Sequence, residues 1–139
     1  MVTLIDTNVV IDFLSNREPF FNDAVSIMQK CSSGEISGYI AEYTIPTVFY
    51  ILRRQFSVSE RRIMLSQLCQ YMGIAELDKA QVLNAIKNEH FDDLEDCLQA
   101  ECAAAIDAYY IVTRNVADFA NSIIPAILPE NFLAKLDAQ

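Results

Sequence analysis

Two rhythms of apolar and polar positions alternate along this chain. The runs Val2-Thr3-Leu4-Ile5, Ile36 to Ala41, Ile74 to Leu77 and Tyr109 to Val112 are short and apolar, rich in β-branched or aromatic residues. Between them apolar residues recur three and four apart. The first rhythm predicts buried strands and the second predicts amphipathic helices. A helix is expected from about Val9 to Leu14. Pro19 opens another, with the face Phe20, Ala24, Ile27, Met28 and Cys31, ending near Ser33-Gly34. Thr44 to Phe56 resumes helical spacing, with Pro46 near the start where a proline is tolerated. Ser59 is expected to cap a partner helix with the face Ile63, Leu65, Leu68, Cys69 and Met72, which Gly73 stops. Lys79 to Asn88 and Asp92 to Ala105 follow, the second acidic at its start as the helix dipole favours, and ended by Asp107. Ile123 to Leu128, then a short helix from Pro129-Glu130 to Leu136, close the sheet. Strands alternating with helices predict an α/β fold, a three-layer α/β/α sandwich around a mostly parallel sheet of four or five strands.

Composition narrows this to one domain. The chain has 139 residues, only three glycines and four prolines, and no linker, repeat or low-complexity tract, so residues 1–139 are read as a single unit with a real core. The cysteines Cys31, Cys69, Cys97 and Cys102 form no C-x-x-C pair, and with one histidine there is no zinc-type ligand set. Reduced, mostly buried thiols are expected. No apolar stretch reaches the roughly 18 residues a membrane helix needs, and no basic segment precedes a long apolar run, so the expectation is a soluble, cytoplasmic protein without a membrane association. The formal net charge of −9 weighs against general coating of nucleic acid. It is compatible with an acidic pocket that holds a divalent cation, because the ion reverses the local field. Arg53, Arg54, Arg61 and Arg62 crowd one stretch and form either a phosphate-facing edge or a solvated helix face.

Asp6 stands directly after the first strand, where ligands gather in an open parallel sheet. A carboxylate there costs free energy unless paired, hydrogen-bonded or bound to metal; it can equally serve as a helix N-cap. Asp93 and Asp96 are spaced i, i+3, which puts two carboxylates on one helical face, although an ordinary acidic first turn has the same spacing. Asp118 follows the last strong strand and the turn Thr113-Arg114-Asn115, where a turn aspartate is also common. Together the three groups suit a hard cation such as Mg²⁺ or Mn²⁺, which selects a few carboxylate oxygens and retains waters. Phosphodiester cleavage uses such an ion to orient and acidify a water.

Leu4-Ile5-Asp6-Thr7-Asn8-Val9, Asp93-Leu94-Glu95-Asp96-Cys97-Leu98-Gln99, and Tyr110-Ile111-Val112-Thr113-Arg114-Asn115 with Asp118-Phe119 resemble, in that order and spacing, the motifs of PIN-domain nucleases. The likeness spans essentially the whole chain, to the Ile127-Leu128-Pro129-Glu130 ending, and is to the branch allied to VapC-type toxins. It implies a helix-flanked parallel sheet, divalent-metal-dependent endoribonuclease activity, and control by a cognate antitoxin protein. Matched residue by residue, Asp6, Asp96 and Asp118 fall on the family's metal-binding acids, with Asp93 as an additional ligand or supporting acid. Asn8, Thr113 and Asn115 fall on positions that orient ligands, waters or phosphate, and Arg114 is a candidate for facing substrate.

One departure stands out. Many members carry a glutamate on the helix after the second strand, where the best register here places Thr47; Glu42 lies five residues earlier and is expected to face solvent. The exchange removes one formal negative charge and puts metal affinity in doubt more than the fold. His90 is expected at the surface, without a partner for base catalysis. Phe20, Phe21, Phe49, Tyr50 and Phe56, at helical spacing, are expected in the core or a subunit contact rather than in base stacking. The reading is therefore a Mg²⁺- or Mn²⁺-dependent endoribonuclease, the toxin of a toxin–antitoxin pair and a homodimer. The alternative is a catalytically weak module that binds RNA or a protein.

Overall fold

The computed structural model describes residues 1–139. Strand β1 (Val2–Ile5) is the middle of a five-stranded sheet. β2 (Ser37–Ala41) and β3 (Gly73–Ala75) lie on one side of it, β4 (Tyr110–Val112) and β5 (Ala126–Ile127) on the other, in the order β3-β2-β1-β4-β5. Every pairing is parallel, with Thr3 opposite both Gly38 and Tyr110 and Ile5 opposite Val112. The helices are α1 (Thr7–Leu14), α2 (Phe21–Ser32), α3 (Thr44–Ile51), α4 (Val58–Cys69), α5 (Lys79–Lys87), α6 (Leu94–Ala105) and α7 (Pro129–Asp137).

Alternation along the strands assigns the two layers. Ile5, Ile40, Val112 and Ile127 turn to one face and meet Val9, Val10, Ile27, Val48, Leu68 and Phe132 from α1, α2, α3, α4 and α7. Leu4, Ala41, Ala75 and Ile111 turn to the other and meet Cys102 and Ala103 of α6, against which α5 packs. Parallel strands need such crossovers, so the three-layer sandwich expected from the sequence is the arrangement found.

Several local expectations are corrected. The helix predicted from Thr44 to Phe56 ends at Ile51 and tightens into a 3₁₀ turn over Leu52–Arg54. Ser57, not Ser59, caps α4: its hydroxyl accepts from Glu60 N at 3.1 Å while the Glu60 carboxylate accepts from Ser57 N at 2.9 Å. That reciprocal box satisfies two orphan amides and outcompetes a cap two residues later. The register of α4 then puts Ile63 58% exposed and turns Arg61 inward, 8% exposed. Arg61 Nη1 donates to Phe49 O at 2.6 Å and its guanidinium lies over the Phe49 ring, so it leaves the basic edge to Arg53, Arg54 and Arg62. The third strand begins one residue earlier than expected, at Gly73, whose missing side chain leaves room for the Tyr39 ring. All four cysteines are free thiols, and no helix is long and apolar enough to cross a membrane.

From β1 the chain builds outward through β2 and β3, then returns to place β4 against the other side of β1. The carboxyl ends of β1 and β4 therefore flank the point where strand order reverses, which in open α/β sheets opens a crevice. Close packing supports this arrangement at Gly38, where an added Cβ would sit 2.4 Å from Cys31 Sγ. Gly38→Ala should therefore destabilise the protein by about 1–3 kcal/mol, as overpacking does, read as a lower urea midpoint with an unchanged slope.

Candidate active site

Asp6 is the last residue before α1 and the first after β1. Its backbone N donates to Val112 O at 2.9 Å, continuing the β1–β4 ladder, while its side chain caps the helix. The carboxylate is almost fully buried, at 6% exposure. Oδ1 accepts from Thr7 N at 2.7 Å; Oδ2 accepts from the Thr113 hydroxyl at 2.8 Å and from Asn8 Nδ2 at 3.3 Å. Thr113 is itself held by Asn8 Nδ2 at 3.2 Å and Asn115 N at 3.0 Å, and Asn8 Oδ1 accepts from Arg114 N at 3.4 Å. The sequence reading offered capping and site chemistry as alternatives for Asp6. The geometry makes it a cap on one oxygen with coordination capacity left over, since a carboxylate offers about four lone-pair positions. Burial pushes the Asp6 carboxyl above its ordinary range; the Thr113 and Thr7 hydrogen bonds act against this, and Asp118 adds to it.

The second acidic group comes from the start of α6. Asp93 lies before the helix, not on its face: it is the N-cap, and its Oδ1 accepts from Glu95 N at 2.8 Å and Asp96 N at 3.2 Å. One Asp93 oxygen is thereby occupied, and its charge bears on Asp96. Burial, then Asp93, Asp118, Asp6 and Glu95, push the Asp96 carboxyl up to about 6. Glu95 is raised too, by burial, Asp93 and Asp6. Asp118 is exposed on the 3₁₀ turn Val116–Phe119, anchored by buried Phe119 and by its own N–H on Asn115 O at 3.0 Å. The three motif aspartates are thus within electrostatic reach of one another.

Other sequence candidates fall differently. The Arg114 guanidinium is turned away from the acids: Nε and Nη2 donate to Asp12 Oδ2 and Oδ1 at 2.6 and 3.2 Å, and it stacks over Phe20 at 4.0 Å. Thr47 spends its hydroxyl on Tyr43 O at 2.9 Å, and Glu42 is exposed. Asn115 contributes its backbone N–H rather than its side chain. His90 is exposed, its N–H on Asn88 Oδ1 at 2.9 Å.

Asp12 was missed by the sequence reading. A lone acid inside Val9-Val10-Ile11-Asp12-Phe13-Leu14 is a legible signal, and here it is 1% exposed and paired by Arg114, with Arg17 Nε 3.8 Å away. Tyr43 was also missed: its hydroxyl donates to Glu95 O at 2.8 Å, and burial and the neighbouring Asp6, Glu95 and Asp96 hold its phenol protonated.

The donor set is entirely carboxylate, the chemistry that hard divalent cations select, and the crowding that adds to burial in raising Asp96 is what such a cation relieves. No three acidic side chains stand close enough to share one ion directly. Mg²⁺ usually takes only one or two protein carboxylates and keeps waters in its other positions, so Asp6 and Asp96, with Asp118 at the rim, fit such an ion.

The PIN domain family model matches residues 2–117, and the chain belongs to that family. Members are nucleases that use divalent metal ions. A comparison with curated proteins finds no match. Among solved structures, VapBC-1 from nontypeable Haemophilus influenzae is similar at TM-score 0.69 and 15% identity, covering 94% of this chain and 99% of that one. A toxin–antitoxin complex from Klebsiella pneumoniae is similar at 0.68 and 22%, covering 91% and 97%. VapBC2 from Rickettsia felis, bound to a DNA fragment from its promoter, is similar at 0.67 and 13%, covering 92% and 98%. At these identities the likeness is one of fold.

Two measurements test this geometry. Without metal, the folded protein retains a proton on Asp96 that the unfolded chain has released, and Asp6, also raised by burial, acts in the same direction, so stability present at low pH is lost as pH rises from 3.8 to about 6. Thermal midpoints at fixed ionic strength should fall across that interval; a rise would mean the two acids are favourably paired. Arg114→Met strands the buried Asp12 charge and should cost on the order of 3 kcal/mol in urea unfolding, whereas a change below about 0.5 kcal/mol, the scale of an ordinary surface substitution, would make the pair dispensable.

Proposed function

We propose that this protein is a Mg²⁺- or Mn²⁺-dependent endoribonuclease acting in the cytoplasm as the toxin of a toxin–antitoxin pair. The observation that carries the reading is the cluster of acids at the β1/β4 reversal, where Asp6 is fixed by neutral donors and Asp96 is pushed up to about 6 by burial and, after it, by the neighbouring carboxylates. When bound, a divalent ion supplies a Lewis acid that acidifies a water and offsets charge on the scissile phosphate. The chain's own part is positional. Thr113, braced by Asn8 and the Asn115 amide, donates to Asp6 Oδ2 and leaves Oδ1 with spare acceptor capacity. Asp96 and Asp118 supply further negative charge from α6 and the turn after β4. The reaction is hydrolysis: water adds to phosphorus, the bond to the 3′ oxygen breaks, and that oxygen takes a proton.

An antitoxin and a second copy of the chain are the proposed protein partners. Support comes from the fold shared with toxin–antitoxin complexes and from the α3–α4 surface. There an apolar groove of about 490 Å³ is lined by Ile45, Pro46, Phe49, Leu65 and Cys69 together with Arg62 and Ser66, and the same two helices leave Tyr50 and Ile63 exposed. Apolar surface that includes arginine and tyrosine suits protein contact.

A second reading, a catalytically weak module that binds RNA or a protein, is favoured by Thr47 in the usual glutamate position and by the absence of three converging acids. Purified protein should cut RNA with Mn²⁺ present, and Asp6→Asn should reduce cutting by at least about a hundredfold, on the scale of losing a metal-orienting group. Undiminished cutting by that variant ends the nuclease assignment, and a flat calorimetric Mn²⁺ titration favours the weak module.

A further inference from the structure

Adjoining Asp6, three polar side chains are buried together. Thr7, Thr44 and Gln99 are 9%, 0% and 1% exposed. The Thr7 and Thr44 hydroxyls lie 2.9 Å apart, and Gln99 Nε2 donates to Thr7 Oγ1 at 3.2 Å and to Thr44 Oγ1 at 3.4 Å. They come from the first residues of α1 and α3 and the second turn of α6. Gln99 Oε1 has no partner.

On stability grounds an apolar side chain would serve better there, because a buried carbonyl left unmatched loses the hydrogen bonds it made to water. What the amide provides is a tie between elements. Thr7 follows Asp6, and its N–H is the one bound to Asp6 Oδ1, at 2.7 Å. Gln99 stands one turn beyond Asp96 on α6, and side chains at that spacing share a face. The bond from Gln99 to Thr7 therefore links the stretch carrying Asp6 to the turn carrying Asp96, and Thr44 ties α3 into the same knot. Like charges on those two stretches push them apart, and the amide holds against that push.

Building on the metal-dependent reading above, we propose that Gln99 is a positioning residue: its amide, through Thr7 and Thr44, sets the spacing of Asp6 and Asp96 and thereby the affinity for a divalent cation. Gln99 touches neither ion nor substrate. Met is about as long as Gln and cannot donate, so Gln99→Met removes the tie while filling the space.

The test is calorimetric Mn²⁺ binding on the full chain, with a thermal melt of each variant beside it. Gln99→Met should bind Mn²⁺ about tenfold or more weakly, the range seen when a group supporting a ligand is lost, while its thermal midpoint is kept or raised. Thr44→Val should weaken binding and Thr44→Ser should restore it. The Gln99→Met/Thr44→Val double variant should bind no more weakly than Gln99→Met alone, since both cut one network. If the wild type binds Mn²⁺ and Gln99→Met binds it equally well, the positioning role is overturned and the metal reading stands. If the wild type binds none, both are overturned. Should Gln99→Met fail to fold, the Thr44→Val and Thr44→Ser pair decides: equal affinity in those two overturns the role, and weaker binding by valine alone supports it.

Discussion

The burial of the Asp6 carboxylate is the constraint on which the site depends. A charge taken out of water at the centre of a parallel sheet must be met by donors, and the fold supplies them from elements far apart in the chain. Thr7 N comes from the helix that Asp6 caps, and the Thr113 hydroxyl comes from the end of β4. That second bond requires β4 to lie beside β1, so the reversal of strand order and the solvation of one aspartate are the same fact seen at two scales. Asn8 then binds both Asp6 and Thr113, which closes the cluster and fixes its orientation.

A second buried acid shows why Asp6 is different. Asp12, two turns into α1 on the same apolar helix, is answered by a bidentate guanidinium, and its charge is neutralised locally. Asp6 accepts hydrogen bonds only from neutral groups, so no guanidinium is spent on its carboxylate and the acids around it stay uncompensated by direct pairing. One arrangement ties α1 to the loop after β4; the other leaves a field that attracts a cation. Arg114 contributes to both without facing the acids, through its side chain on Asp12 and its amide on Asn8.

At the start of α6 two effects compete over Asp96. The helix dipole and the free amides of the first turn favour its ionised form. Burial first, and then four surrounding carboxylates, oppose it and push the carboxyl up to about 6, so desolvation aided by crowding outweighs the dipole. A chain of net charge −9 that gathers several of its acids at the reversal of strand order is unfavourable to bare nucleic acid, a field that a bound cation would offset. The exposed Arg53, Arg54 and Arg62 lie on the α3–α4 side instead.

The sequence by itself determined the three-layer arrangement and the parallel sheet, because β-branched runs and helical spacing are local signals, and its strand-end aspartates marked candidate stations that could equally be caps or turn residues. The resemblance to the family also exposed the Thr47 departure, which needs only a register. What only the tertiary structure decided was the use of each group. Asp93 became a cap because its Oδ1 reaches the Glu95 and Asp96 amides. Arg114 was claimed by Asp12, and Arg61 by Phe49, through bonds spanning 102 and 12 residues. The Thr7, Thr44 and Gln99 cluster joins residues 37, 55 and 92 positions apart and leaves no periodic trace. A side chain's partner is set by which elements the sheet brings together, and that depends on the whole chain at once, whereas its tendency to lie in a strand or a helix is written within a few neighbours.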